Sequence, residues 1–153
     1  MLWGQLCDDI DIILDKLKEK NVNTKLLILI ISPPGDLQIG LQALLTTHLD
    51  VDVLAVGEGS SAIKVIEGHH PTVVILDNDL PKDAAIKIVQ DIKSKWLEII
   101  CIVLVNDEKE RHSFLDMGTD LIVIKGLSGA KLIAEINRLL DLSKLNMQEN
   151  LNE

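Results

Sequence analysis

The residues best placed to do chemistry are two aspartates and a lysine, each at the end of an apolar run. In VVILDNDLP (73–81) four apolar residues lead into Asp77, Asn78 and Asp79, and Pro81 closes the segment. In DLIVIK (120–125) a second apolar run ends on Lys125. On an extended strand, residues i and i+2 share a face, so Asp77 and Asp79 could present two carboxylates together; in a tightening loop they diverge. Paired carboxylates suit a hard cation: Mg2+ takes about six oxygens, commonly one or two of them protein carboxylates. An aspartate and a backbone carbonyl would serve if another acidic loop came near. The candidate is IISPPGD, which offers Ser32, Pro33, Pro34 and, at its far end, Asp36. Lys125 could hold an oxyanion, but pairing with Asp77 to stabilise the strand ends is the favoured expectation.

Those residues need a scaffold that brings strand ends together, and the hydrophobic pattern supplies one. KLLILII (25–31), VDVLAV (51–56), TVVIL (72–76), IICIVLV (99–105) and DLIVI (120–124) read as strands buried on both faces. IICIVLV is the most apolar and is expected at the centre of the sheet. Between the strands, apolar residues recur at helical spacing: Leu37, Leu41, Leu44 and Leu45; Ala62, Ile63, Val65 and Ile66, ending at Gly68; Ala84, Ile86, Ile88, Val89 and Ile92. Phe114, Leu115 and Met117 suggest a short helix closed by Gly118. Ala130 to Leu140 forms a last helix, with Ser128 as its N-cap. Five strands alternating with five helices predict a three-layer, doubly wound α/β fold around a five-stranded parallel sheet of flavodoxin-like type. In such sheets ligands bind outside the carboxyl ends of the strands, at the loops beginning at Ser32, Gly57, Asp77, Asn106 and Lys125.

Three segments follow from this reading. Residues 1–22 form an N-terminal amphipathic extension, with Leu2, Leu6, Ile10, Ile13, Leu14 and Leu17 on one helical face. Its polar face mixes acids and lysines, unlike the basic face of a membrane-surface helix, so docking on the domain or on a second copy is expected. Residues 23–141 form the α/β domain, and 142–153 a polar tail expected to fray.

Bulk composition narrows the function classes. A chain of 153 residues supports one domain that buries roughly 68–70% of its unfolded surface without staples. Trp3, Trp96 and Phe114 are its only aromatic residues, too few for base-stacking platforms. A net charge of −9 without a basic stripe argues against nucleic acid. Cys7 and Cys101 have no CxxC spacing, and Cys101 reads as a reduced core thiol. His69 and His70 read as a solvated turn, and GEGSS (57–61) is a weak nucleotide cradle. Nothing reads as a signal peptide or a membrane span, so a cytoplasmic location is expected.

From Lys25 to Leu140 the chain resembles response-regulator receiver domains, especially those preceding helix-turn-helix output domains. The resemblance rests on the order and spacing of GLQALL (40–45), GEGSSAIKVIEGHHPTVVILDNDLP (57–81), DMGTDLIVIK (116–125) and AEINRLL (134–140). It places Asp77 at the phospho-acceptor position, Lys125 at the phosphoryl-contacting position, and Pro81 and Gly118 at family loop positions. The departures fall in the chemistry. Ser32 and Pro33 stand where the family has two Mg2+-holding acids, leaving Asp36 as a substitute ligand and Asp77 with Asp79 as a weak metal pair. The switch hydroxyl becomes Val105 or Asn106, and the switch aromatic becomes Ile122. Gly126 replaces a proline and Ala85 a glycine.

The resemblance therefore implies an atypical receiver, or pseudo-receiver, of two-component signalling that is not an enzyme. It would work through a protein partner: a histidine kinase, an output domain or a second copy, the last helix being a common dimer surface in the family. No resident cofactor is expected, and Mg2+ only weakly. Two alternatives remain: a phosphorylatable phosphorelay receiver using Asp77 with Asp36, and a flavodoxin-like domain binding a cofactor or nucleotide. The prolines of SPPGD, which lack N–H donors, count against the second. About 13 residues follow Leu140, too few for a helix-turn-helix, which predicts a stand-alone domain or a piece of a longer chain.

Overall fold

The structure, a computed structural model, describes residues 26–126 and 128–152. The amphipathic extension 1–22 and Cys7 lie outside the described residues. Five strands, β1 (Leu26–Ile31), β2 (Val51–Val56), β3 (Val73–Asp77), β4 (Ile100–Val105) and β5 (Leu121–Ile124), form one parallel sheet in the order β2-β1-β3-β4-β5. Five helices connect and flank them: α1 (Asp36–His48), α2 (Gly59–His69), α3 (Ala84–Lys95), α4 (Glu108–Phe114) and α5 (Gly129–Asn152).

The pleat sorts each apolar run onto two faces. Ile28 and Ile30 of β1 point into one core with Leu41 and Leu45 of α1 and Leu132, Ile136 and Leu140 of α5. Leu29 and Ile31 point into the other, with Ala62 and Ile66 of α2, Ile88, Val89 and Ile92 of α3 and Phe114 of α4. That period-two split is why buried parallel strands carry no polar face. Two helices cover the first face and three the second.

Several expectations are corrected. β3, not β4, takes the centre of the sheet. Both strands are buried at every residue, and apolar content measures burial on two faces rather than position, so it could not rank them. α2 runs through Gly68 to His69, and His70 stops it in the left-handed region at φ 48 while its N–H donates to the Ile66 carbonyl. Pro71 follows, and a residue before proline is pushed out of the right-handed helical region. The segment expected as a frayed tail instead continues α5 to Asn152; with no glycine or proline between Ala130 and Asn152 and many good helix formers, nothing stops it.

Local signals hold other joints. Ser128 caps α5, its Oγ accepting from the Lys131 N–H at 3.3 Å. Asp107 caps α4 by accepting from the Glu110 N–H at 2.9 Å. At Gly129 a Cβ would come within 2.9 Å of Leu44, so a glycine lets α5 start hard against α1. Among the described residues no helix is long and apolar enough to cross a membrane.

Candidate functional site

The strand order reverses between β1 and β3, which opens a crevice beyond their carboxyl ends. Asp77 is the last residue of β3 and is only 3% exposed. The chain turns immediately: the Leu80 N–H donates to the Asp77 carbonyl at 3.2 Å, and the Asp79 N–H to Asp77 Oδ1 at 2.9 Å. This side-chain-to-backbone turn is a common habit of aspartate. It ends the shared-face geometry of a strand and lifts Asp79 above Asp77, where its side chain is half exposed.

Lys125 follows β5, its N–H donating to the Val105 carbonyl at 2.8 Å. Its ammonium lies 2.7 Å from Asp77 Oδ1 and 2.5 Å from Asp79 Oδ2. The pairing expected from the two strand ends is therefore made, with a second carboxylate added. Burial pulls the Lys125 ammonium down, but the hydrogen bonds to Asp77 and Asp79 and their charges outweigh it, so its pKa stands above the ordinary lysine value. Asp79 moves the other way: its hydrogen bonds from Lys125 and then Asn106 hold it below the ordinary carboxylate value against some desolvation.

The two switch candidates lie in different surroundings. Val105 is the fully buried end of β4. Asn106 is exposed, and its side-chain amide donates to Asp79 Oδ1 at 2.7 Å and to Glu110 Oε1 at 3.2 Å; its backbone N–H donates to Glu110 Oε2. Ile122 is half-buried and packs toward the face covered by α2 and α3. A continuous polar chain thus runs Asp77–Lys125–Asp79–Asn106–Glu110, joining the ends of β3, β4 and β5 to the first turn of α4.

The end of β1 is quiet by comparison. Ser32 is 1% exposed; its N–H donates to the Val56 carbonyl at 3.0 Å, its Oγ reaches only the Pro33 carbonyl at 3.4 Å, and its own carbonyl accepts from Gln38 Nε2 at 3.2 Å. Pro33 carries no side-chain donor or acceptor. Asp36 is the exposed first residue of α1 and lines a cavity that Lys125 also borders. Gly57 is explained by packing, since a Cβ there would meet Pro34 Cδ at 3.1 Å. Among the described residues no group of three or more His, Cys, Asp or Glu side chains could hold a metal ion.

Sequence reasoning placed Asp77, Asp79 and Lys125 at one edge but missed Glu110, Gln38 and the contact between Asn106 and Asp79. The one available signal was DND itself: an aspartate followed by Asn-Asp is prone to fold its carboxylate onto the following backbone.

Comparison with known proteins fits this geometry. The model of the response regulator receiver domain family matches residues 28–137. The chain belongs to the response-regulator receiver family. One relative, the probable transcriptional regulator ycf27 of Porphyridium aerugineum, is 28% identical over 109 residues, covering 69% of this chain and 45% of that protein. The match spans between 42% and 46% of the length of the ycf27 relatives. A LuxR-family DNA-binding response regulator from Staphylococcus aureus superposes with a TM-score of 0.65 at 29% identity, covering 72% of this chain and 96% of that one. The signal receiver domain of a putative Luxo repressor from Vibrio parahaemolyticus gives 0.72 at 21% identity, covering 84% and 98%, which shows the shared receiver fold.

Proposed function

We propose that this chain is a pseudo-receiver: a receiver that signals through protein–protein contact, with its acceptor-position aspartate held by a resident lysine instead of Mg2+. The observation that carries the reading is the Lys125 ammonium, 2.7 Å from Asp77 and 2.5 Å from Asp79. In the family, two acids ending the first strand hold Mg2+, which neutralises the charge developing on a transferred phosphoryl group. Here that position carries Ser32 and Pro33. Mg2+ commonly needs one or two protein carboxylates, and the two nearest already share the Lys125 ammonium. A cation would have to displace the ammonium, break the Asn106 contact with Asp79, and then find a buried hydroxyl and a proline where it needs charge. The residues as arranged do not fit the ion.

On this reading the polar chain from Asp77 to Glu110 holds one arrangement of the β4–α4 region. Partners of receiver type, whether a histidine kinase, an output domain or a second copy, would meet a surface whose geometry is set without phosphorylation. A cytoplasmic location follows from such a role. One observation keeps the phosphorelay reading in view: Asp36 borders the same cavity as Lys125 and is exposed.

The test is incubation with Mg2+ and a small phosphoryl donor such as acetyl phosphate, read by intact mass. The pseudo-receiver gives no aspartyl-phosphate adduct, whereas the Ser32→Asp, Pro33→Asp double variant gives one at Asp77. An adduct at Asp77 in the wild-type chain, lost in Asp36→Asn, would establish the phosphorelay reading instead.

A further inference from the structure

Glycine is disfavoured inside a helix relative to alanine unless close packing requires it. Gly40 lies within α1, yet a Cβ there would meet nothing within 4 Å, so packing does not require it. It borders a cavity of about 270 Å³ between α1, the carboxyl ends of β4 and β5, and the start of α5. Gly126, at φ 101, borders the same space, and a Cβ there would also meet nothing within 4 Å. Leu41, Leu104, Val123 and Leu132 line the cavity, and each keeps 4–6% of its surface open. Ile30, Leu45, Ile75 and Ile102 of the same core keep none. The apolar core on this face thus stays open to the cavity.

The geometry points to a binding site for a compact primary amine with an apolar body, its ammonium held at the cavity mouth by Asp36. Small-molecule sites are concave and mostly apolar, with a few polar groups that fix orientation. An apolar cavity of about 150 Å³ takes a benzene ring, so one of this size takes a body of about ten non-hydrogen atoms. Asp36 is the polar group here: it is exposed, it lines the cavity, and its carboxylate has no hydrogen-bond or ion-pair partner among the described residues. An ammonium at the mouth reaches Asp36 while the body lies against the leucines, so no charge is carried into the core.

The surrounding charges select the head group. Lys125 borders the cavity, but its ammonium is already shared by Asp77 and Asp79. The first turn of α5 adds the exposed Lys131, and the amino ends of α1 and α5 each bring a partial positive pole of about half a charge. Against these stand Asp36, Asp77, Asp79 and Glu110, four acids to two lysines, so the corner stays net acidic with both poles counted. An anionic head would enter against Asp36 with no uncommitted cation lining the cavity to receive it. The site goes beyond the pseudo-receiver reading and stands whether or not Asp77 accepts a phosphoryl group.

Three probes of one shape and different charge test this on the full, isotopically enriched chain: 2-phenylethylamine, 2-phenylethanol and phenylacetate, each titrated to millimolar concentration and followed by amide NMR. The amine is expected to give saturable shifts centred on Gly40, Gly126 and Gly129. The alcohol should bind at the same amides roughly fivefold more weakly, the worth of one exposed ion pair, and phenylacetate should give no saturable shift there. Asp36→Asn, at an exposed side chain, should lower the amine to the alcohol's affinity and leave the alcohol unchanged. Gly40→Leu, which fills the space from a helical position, should abolish binding of both while the amides of β3 keep their native positions. No saturable shift with the amine, shifts centred elsewhere, or binding that survives Gly40→Leu overturns the site. Equal affinity for the three probes, or an amine affinity unmoved by Asp36→Asn, overturns the assignment of its ligand as a cation.

Discussion

The two halves of the sheet's carboxyl edge differ sharply. On the side of β3, β4 and β5, five side chains from four elements form one continuous polar chain around the Lys125 ammonium. On the side of β1 and β2, Ser32 is sealed into the backbone, Pro33 offers nothing polar, and Gly57 closes against Pro34. The scaffold is equally regular on both sides, so the contrast is one of chemistry. On the proposed reading Asp77 keeps its place at the ligand edge with Lys125 as its counter-ion, while Ser32 and Pro33 stand where the family has its acidic pair.

Removing the lysine strains the comparison most. Lys125→Met leaves Asp77, almost fully buried, beside Asp79 with no cation, and should cost about 3 kcal/mol, measured as a shifted urea midpoint at unchanged slope. Adding Asp77→Asn should recover much of that loss, because breaking a buried pair costs more than replacing both partners. If the single variant proves neutral, the lysine is not the resident counter-ion.

Asp79→Asn tests the exposed partner and should cost less, about 0.5–1 kcal/mol, since a half-exposed pair is well screened. Its signature is pH. The Asp79 carboxyl is held below its ordinary value of 3.8, so its contribution is present above that value and fades as pH falls through the lower folded value. Lys125 is held above 10.5, so its contribution is complete below 10.5 and fades as pH rises through the higher folded value. Stability from this couple should be flat between those limits, and the variant should lose less than the wild type at either extreme. Asn106→Ala should have the smallest effect, about 0.5 kcal/mol, with hydrogen exchange faster in the first turn of α4 than in β3.

Much of the fold was legible because each strand is an apolar run bounded by turn residues, and the helices between carry a 3.6-residue stripe. The central strand was not, because β3 and β4 are equally sealed by helices. The end of α2 was misread at Gly68, where the physical stop is His70 before Pro71. In the site, strand ends alone brought Asp77 and Lys125 together. The position of Asp79 depends on a side-chain turn at Asp77, and the reach of Asn106 depends on how α4 is capped. Both are settled by local geometry that residue type only biases.

The most direct test of the central claim is an amide NMR titration of the full chain with Mg2+ at near-neutral pH. Lysine neutralisation predicts no saturable shift at Asp77, Asn78, Asp79 or Lys125 up to millimolar Mg2+, and a saturable one in the Ser32→Asp, Pro33→Asp variant. Saturable millimolar binding at those amides in the unaltered chain would contradict it.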